Sequence, residues 1–160
     1  MIPDVADILI VQDNPLEVEL MVRPLRELSA EVTIGVARDG EEALDYLLAR
    51  GAFRHRLGAP PPRLVLLDLK LPKMDGAEVV RALRASHRTS SVPVVIFLPV
   101  SDPREVAQCY QLGANSCVRK PIPFPELHRV IQSVGRYWLG VNEPVGGQAG
   151  GDTLSPSRAS

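Results

Sequence analysis

Three side chains that could handle a phosphoryl group each stand just after a short, mostly apolar segment. They are Asp13 after residues 8–11, Asp68 after residues 64–67 and Lys120 after residues 117–119. Carboxylates brought close together repel each other unless a cation lies beside them, and oxygen ligands favour Mg²⁺, which also binds phosphoryl oxygens. A lysine adds positive charge, and phosphoryl transfer depends mostly on positioning and charge neutralisation. If the fold brings them together, these residues therefore predict a phosphoryl-transfer site.

The same segments belong to a pattern in which strands and helices alternate five times. Strands are predicted at 7–11, 31–37, 64–67, 92–97 and 117–119, each followed by apolar residues at helical spacing. Unbroken apolar runs are typical of strands buried on both faces, as in a parallel sheet. We therefore predict an α/β fold, a doubly wound five-stranded parallel sheet in the order 2-1-3-4-5. This order places the ends of strands one and three side by side, so Asp13 and Asp68 should meet.

Local signals set several boundaries of these elements. Asn14 and Asp75 are predicted helix N-caps, and Gly113 is a predicted helix stop. Pro24 lies inside a helical pattern and predicts a kink or a broken last turn. Residues 51–62 are predicted to form a loop, and three arginines in and beside it are predicted to be solvated: Arg54, Arg56 and Arg63.

Taken together, these motifs resemble the receiver domain of two-component response regulators over about residues 5–140. The matching pieces are IVQDNP at 10–15, LLDLKLP at 66–72 with DG at 75–76, and KP at 120–121. The resemblance implies a flavodoxin-like receiver fold in which Asp68 accepts a phosphoryl group from a histidine kinase. It also implies that Asp13, Asp68 and the backbone carbonyl of Lys70 bind Mg²⁺, and that Lys120 contacts the phosphoryl oxygens. The Lys120–Pro121 peptide would be cis.

The C-terminal segment resembles standalone regulators that are paired with phytochrome histidine kinases. The resemblance lies in FPEL at 124–127 and GRYWLGVNEP at 135–144. It implies a phytochrome photoreceptor as the partner kinase and a homodimer formed through the last helix and its extension. Tyr137 and Trp138 would lie at that interface, or would instead pack against the sheet. We expect a receiver domain over 1–143, a disordered tail over 144–160 and no DNA-binding output domain.

Four positions depart from the family pattern. Gln12 stands where a second acid is usual, so it could accept through its carbonyl or hold a metal-bound water, and we expect weaker Mg²⁺ affinity. Leu98 replaces a hydroxyl that meets the phosphoryl group, and Pro99 replaces a residue that donates its N–H. Cys117 replaces the switch aromatic, and Ser101 is an alternative hydroxyl. We predict slower acyl-phosphate formation and an output that does not use the usual switch.

Composition limits the remaining possibilities. The chain has 160 residues, a net charge of −1 and 45% apolar residues, which predicts no nucleic-acid partner and no membrane attachment. The N-terminus lacks a secretory pattern, so a cytoplasmic protein is expected. Cys109 and Cys117 are interpreted as small core residues and not as redox centres.

Two other functions remain as alternatives. A degenerate receiver would act as a docking or dimerisation module and would never carry phosphate; Gln12, Leu98 and Pro99 favour it. A phosphohydrolase with an aspartyl-phosphate intermediate would need an acid two residues after its nucleophile, but that position holds Pro15. We expect no enzyme beyond one that catalyses its own phosphorylation and dephosphorylation.

Overall fold

Five parallel strands form the centre of the molecule, whose computed structural model describes residues 2–99, 102–120 and 123–145. The strands are β1 Ile8–Val11, β2 Ile34–Ala37, β3 Leu64–Asp68, β4 Val94–Leu98 and β5 Ser116–Arg119. Their order is β2-β1-β3-β4-β5, and every pair is parallel. The predicted fold and strand order are therefore confirmed.

Helices connect the strands and cover both faces of the sheet. They are α1 Pro15–Leu28, α2 Gly40–Leu47, α3 Gly76–Ala85, α4 Pro103–Leu112 and α5 Phe124–Arg136, with a 3₁₀ helix at Gly51–Gly58 and a π-helical turn at Tyr137–Val141. Alternate residues of each central strand enter two separate cores. Leu9 and Val65 belong to the core that includes residues of α2, α3 and α4, whereas Ile8 and Leu64 belong to the core that includes residues of α1 and α5.

The predicted helix caps are present. Asn14 Oδ1 accepts a hydrogen bond from the Leu16 N–H at 2.9 Å, and Asp75 Oδ1 accepts from the Glu78 N–H at 3.1 Å. Gly113 ends α4 with φ of 113°, a left-handed conformation that favours glycine. Of the two outcomes predicted at Pro24, the broken last turn is wrong, since α1 continues to Leu28, and the kink stays a prediction. Pro24 is buried, and packing of α1 against α5 outweighs the lost hydrogen bond.

The predicted loop at 51–62 is partly wrong, because its first eight residues form the 3₁₀ helix. Arg56 is also buried, with 1% of its surface exposed, and is not solvated as predicted. Its guanidinium lies over the Tyr46 ring, 3.6 Å from the centroid, and donates to the carbonyl oxygens of Asp4 and Tyr46. An arginine can be buried when carbonyls satisfy its donors, so a charge in a loop-like sequence does not by itself indicate exposure.

Some expectations fall on residues that the structure does not describe. The implied cis peptide at Lys120–Pro121, the hydroxyl of Ser101 and the predicted tail from residue 146 onward all lie outside the described residues. The boundary at residue 143 stays a prediction. None of the helices in the described part of the chain combines the length and the apolar character that a membrane span requires.

Candidate functional site

The C-terminal edge of the sheet holds a cleft of about 300 Å³. Its lining residues come from the ends of four strands and the first turn of α1: Gln12, Asp13, Glu17, Asp68, Leu69, Lys70, Phe97, Pro99 and Lys120. Asp68 is the last residue of β3, and Lys120 directly follows β5. The three side chains singled out by their chemistry, Asp13, Asp68 and Lys120, therefore share one cleft. Asp13 and Asp68 meet there because β1 and β3 are adjacent in the sheet.

Asp68 has two oxygens in different environments. Lys120 Nζ donates to Oδ2 at 2.8 Å, and Gln12 Nε2 donates to the same oxygen at 2.5 Å. Oδ1 is buried and has no hydrogen-bond partner among the described residues. Burial is the largest effect and raises the pKa of the Asp68 carboxyl, while hydrogen bonding and charge from Lys120 oppose the rise. One oxygen is thus held by two donors, and the other has acceptor capacity that no described residue uses.

Gln12 acts on Asp68 as a donor. Its side chain is 1% exposed, and its Oε1 accepts from the Asn14 N–H at 3.0 Å. The amide is therefore fixed at both ends, with its carbonyl toward the start of α1 and its NH₂ toward Asp68. A carboxylate at this position would have only acceptors to offer, so the substitution replaces a repulsive neighbour of Asp68 with a hydrogen-bond donor.

Glu17 is a site residue that the sequence reasoning missed. Its Oε1 accepts from Lys120 Nζ at 3.2 Å, so the ammonium group is shared between Glu17 and Asp68. Glu17 stands in the first turn of α1, which Asn14 caps and Pro15 begins. A signal was available, since a helix that starts at residue 15 directly after β1 keeps its first turn near the strand end.

The donor set of the cleft fits a hard divalent cation. No described residue donates a hydrogen bond to the buried Asp68 Oδ1, and Asp13 contributes an exposed carboxylate to the same cleft. Lys70 is exposed, and its Nζ lies 3.8 Å from Glu105 Oε2. Within the described ranges, three His, Cys, Asp or Glu side chains nowhere cluster as a ready metal site. A cation here would therefore need a backbone carbonyl and water besides the two carboxylates, as Mg²⁺ commonly does.

Besides Gln12, three positions are predicted to depart from the family pattern: Leu98, Pro99 and Cys117. Of these three, only Pro99 lines the cleft. Leu98 is 1% exposed and packs in the core beside α4. Cys117 is partly buried against the same core, which includes Cys109. Burial, and then the neighbouring Cys109, raises the pKa of the Cys117 thiol to about 11, so both groups are thiols at neutral pH.

The aromatic pair after α5 is split between core and solvent. Trp138 packs against the core that includes residues of α1 and α5, whereas Tyr137 is 48% exposed. The two rings meet edge to face with centroids 4.9 Å apart. Arg63 fixes the turn that carries them by donating to the Leu139 carbonyl at 2.7 Å.

Comparisons with known proteins place this architecture in context. The sequence model of the family described as "Response regulator receiver domain" matches residues 8–132. Among curated proteins, the chain is 38% identical over 140 residues to the probable methanogenesis regulatory protein FilR2 of Methanothrix harundinacea. That match covers 87% of each chain.

Solved structures of whole regulators are also similar. The phosphorylated cyanobacterial phytochrome response regulator RcpA has a TM-score of 0.81 at 27% identity, covering 88% of this chain and 99% of that one. The Mn²⁺-bound form of response regulator Rcp1 has a TM-score of 0.79 at 27% identity, covering 87% and 98%. The bacteriophytochrome response regulator AtBRR is 40% identical with a TM-score of 0.67, covering 88% and 100%.

Proposed function

We propose that this chain, which belongs to the response regulator receiver family, accepts a phosphoryl group on Asp68 from a phytochrome-type histidine kinase in phosphorelay signal transduction. The observation that carries the proposal is the arrangement of Asp68. One of its oxygens accepts hydrogen bonds from Lys120 and Gln12, and the other is buried with no partner in the part of the chain that the structure describes. Two hydrogen bonds orient this carboxylate, and one oxygen keeps unused acceptor capacity, which are features expected of a nucleophile.

The chemistry follows from the residues of the cleft. A carboxylate oxygen of Asp68 forms a bond to phosphorus while the bond from phosphorus to the kinase histidine breaks, and the histidine nitrogen keeps the electron pair. Lys120, only 14% exposed at its side chain, neutralises charge on the phosphoryl oxygens. Asp13, Asp68 and the Lys70 carbonyl would hold Mg²⁺, which supplies further neutralisation when bound. The chain would catalyse no other reaction than its own phosphorylation and dephosphorylation.

A groove beside the cleft suits a docking kinase. It lies between α1 and α5, has a volume of about 640 Å³, and includes Arg23 and Arg129 among its lining residues. Two of its apolar residues are largely exposed, Leu16 at 62% and Phe124 at 58%. Leu16 is next to Glu17 of the cleft, and Phe124 follows Lys120 by four residues. A kinase helix bound here would bring its phosphohistidine close to Asp68.

The phytochrome assignment of the kinase rests on relatives. RcpA and AtBRR bear phytochrome names, and this chain covers nearly all of each. We further propose a homodimer through α5 and its extension, the turn that carries Tyr137 and Trp138. We also propose a receiver domain over 1–143 and a cytoplasmic location.

Two observations favour a second function. Pro99 lines the cleft and has no N–H to donate to a phosphoryl oxygen. Gln12 already donates a hydrogen bond to Asp68 Oδ2. A degenerate receiver that docks or dimerises without phosphate would tolerate both features, as well as the apolar Leu98.

Intact-mass measurement after incubation with acetyl phosphate and Mg²⁺ separates the two functions. The first function predicts one phosphoryl adduct on the wild-type chain and none on Asp68→Asn. If neither acetyl phosphate nor a phosphorylated phytochrome kinase, light or dark, produces the adduct, the docking function stands instead.

A further inference from the structure

Glu17 occupies a position in the cleft that the proposed chemistry does not yet use. Its carboxylate approaches Lys120 from the side of α1, while Asp68 approaches from the end of β3. The Glu17 side chain is 35% exposed and that of Lys120 14%, so water screens this ion pair less than it screens a surface pair. The contact joins residues 103 positions apart and is not a consequence of local helix geometry.

The charge of the cleft depends on Glu17. Position 12 holds a neutral glutamine, and the ammonium group of Lys70 pairs with Glu105. Without Glu17 the cleft would therefore set two carboxylates, Asp13 and Asp68, against the one ammonium group of Lys120. With Glu17 it contains three carboxylates against the same ammonium group, a balance of two negative charges that a divalent cation matches. Glu17 therefore returns the charge that Gln12 omits, from a helix instead of from the strand end.

We propose that Glu17 substitutes for the missing acid of position 12: by pairing with Lys120 it leaves the Asp68 carboxylate and the cleft negative enough to bind a divalent cation. This inference rests on the proposed function, because it concerns the same cation and the same acceptor. Glu17 is a positioning residue that acts through Lys120, and no direct bond from Glu17 to the cation is required.

Calorimetric titration of the full chain with Mg²⁺ alone, without any phosphodonor, tests the inference. Glu17→Gln keeps the shape and one acceptor of the side chain but removes its charge, and should raise the Mg²⁺ dissociation constant about tenfold. Glu19→Gln makes the same change on the same helix, where the side chain is 70% exposed and faces Arg23 at 3.9 Å, and should leave affinity unchanged. The swap Gln12→Glu with Glu17→Gln should return affinity to within about threefold of the wild type.

The outcomes separate this inference from the proposed function. Wild-type affinity in Glu17→Gln, or a swap variant that binds as weakly as Glu17→Gln, overturns the role of Glu17 alone. The swap also guards against misfolding, because a swap variant that binds shows that the Glu17→Gln change it contains leaves the chain intact. Asp13→Asn should lose binding whatever Glu17 does, and a wild-type chain that binds no Mg²⁺ overturns both this inference and the proposed metal site.

Discussion

The two oxygens of Asp68 differ in their partners, and the difference has a thermodynamic consequence. Oδ2 accepts hydrogen bonds from Lys120 and Gln12, whereas Oδ1 is buried with no partner among the described residues. A buried acceptor without a hydrogen bond destabilises a fold by about 1–3 kcal/mol. At the scale of a single residue, a cation or phosphoryl group that contacts Oδ1 would therefore stabilise the fold as well as the site.

Removing the charge of Asp68 should therefore stabilise the ligand-free protein at neutral pH. Burial raises the pKa of this carboxyl, so the folded chain prefers its protonated form. The stability that the protonated carboxyl contributes is present below the ordinary carboxyl pKa of ~3.9. It is lost as the pH rises from there through the raised pKa of the folded chain. Asp68→Asn does not titrate, so at pH 7.5 in EDTA it should unfold a few degrees higher, about 1 kcal/mol more stable. Thermal melts measure the difference.

The same melts across pH provide the control for that prediction. The advantage of Asp68→Asn should shrink as pH falls toward the ordinary carboxyl value, where both side chains are neutral. Asp13→Asn changes an exposed carboxylate in the same cleft and should shift the melting temperature little. An Asp68→Asn variant that is less stable at pH 7.5 would mean that the ion pair with Lys120 outweighs burial.

The end of β4 carries Leu98 and Pro99, two of the positions that we predict to depart from the family pattern. Pro99 faces the cleft, so Pro99→Ala would return one backbone N–H to the place where a phosphoryl oxygen should lie. Removing one preorganised donor elsewhere slows reactions by about 10²–10³-fold, so this variant should accept phosphate from acetyl phosphate at least roughly tenfold faster. Rates of adduct formation by mass spectrometry measure the effect. Pro61→Ala, the same change just before β3, should leave the rate unchanged.

Helices α1 and α5 form the other element-scale feature, the groove beside the cleft. Leu16→Asp places a charge in its apolar part and should slow phosphoryl transfer from the partner kinase by roughly tenfold or more. Its rate with acetyl phosphate should not change, since that donor needs no groove. Leu57→Asp alters a leucine of similar exposure, 68%, on the 3₁₀ helix and should behave as the wild type with both donors. Equal slowing with both donors would indicate damage to the cleft itself.

Local signals explain how much of these elements the sequence could predict. Asn14, Asp75 and Gly113 mark helix ends through contacts within a few residues, so their roles were readable directly. Asp13 and Asp68 could be placed together because parallel strands end at one edge of the sheet.

The remaining features depend on contacts between distant parts of the chain. Glu17 contacts Lys120 because tertiary packing brings the first turn of α1 to the residue that follows β5. Arg56 is buried because carbonyls of Asp4 and Tyr46 converge on it, and the surrounding sequence carries no signal of that convergence. Asp68 Oδ1, which has no partner in the described part of the chain, likewise depends on packing. The apolar pattern of a strand does not specify such packing.

At the scale of the whole molecule, the turn after α5 leaves apolar surface exposed. Tyr137 is 48% and Val141 65% exposed, while Trp138 between them packs into the core. Because Trp138 stabilises the monomer, its loss would confuse folding with association. Tyr137 is therefore the better probe of the proposed homodimer, and tyrosines are enriched among interface residues that contribute most to binding.

Light scattering coupled to gel filtration should show a wild-type dimer and a largely monomeric Tyr137→Glu variant. A buried interface tyrosine contributes about 2 kcal/mol, and its replacement by an acid should weaken association by roughly thirtyfold or more. Leu57→Glu changes an exposed apolar side chain on the 3₁₀ helix, outside α5 and the turn after it. The Leu57→Glu variant should remain dimeric. A dimeric Tyr137→Glu would place the interface elsewhere on the molecule. A monomeric wild type would instead leave Tyr137 and Val141 for contact with the kinase, which Tyr137→Glu would then weaken.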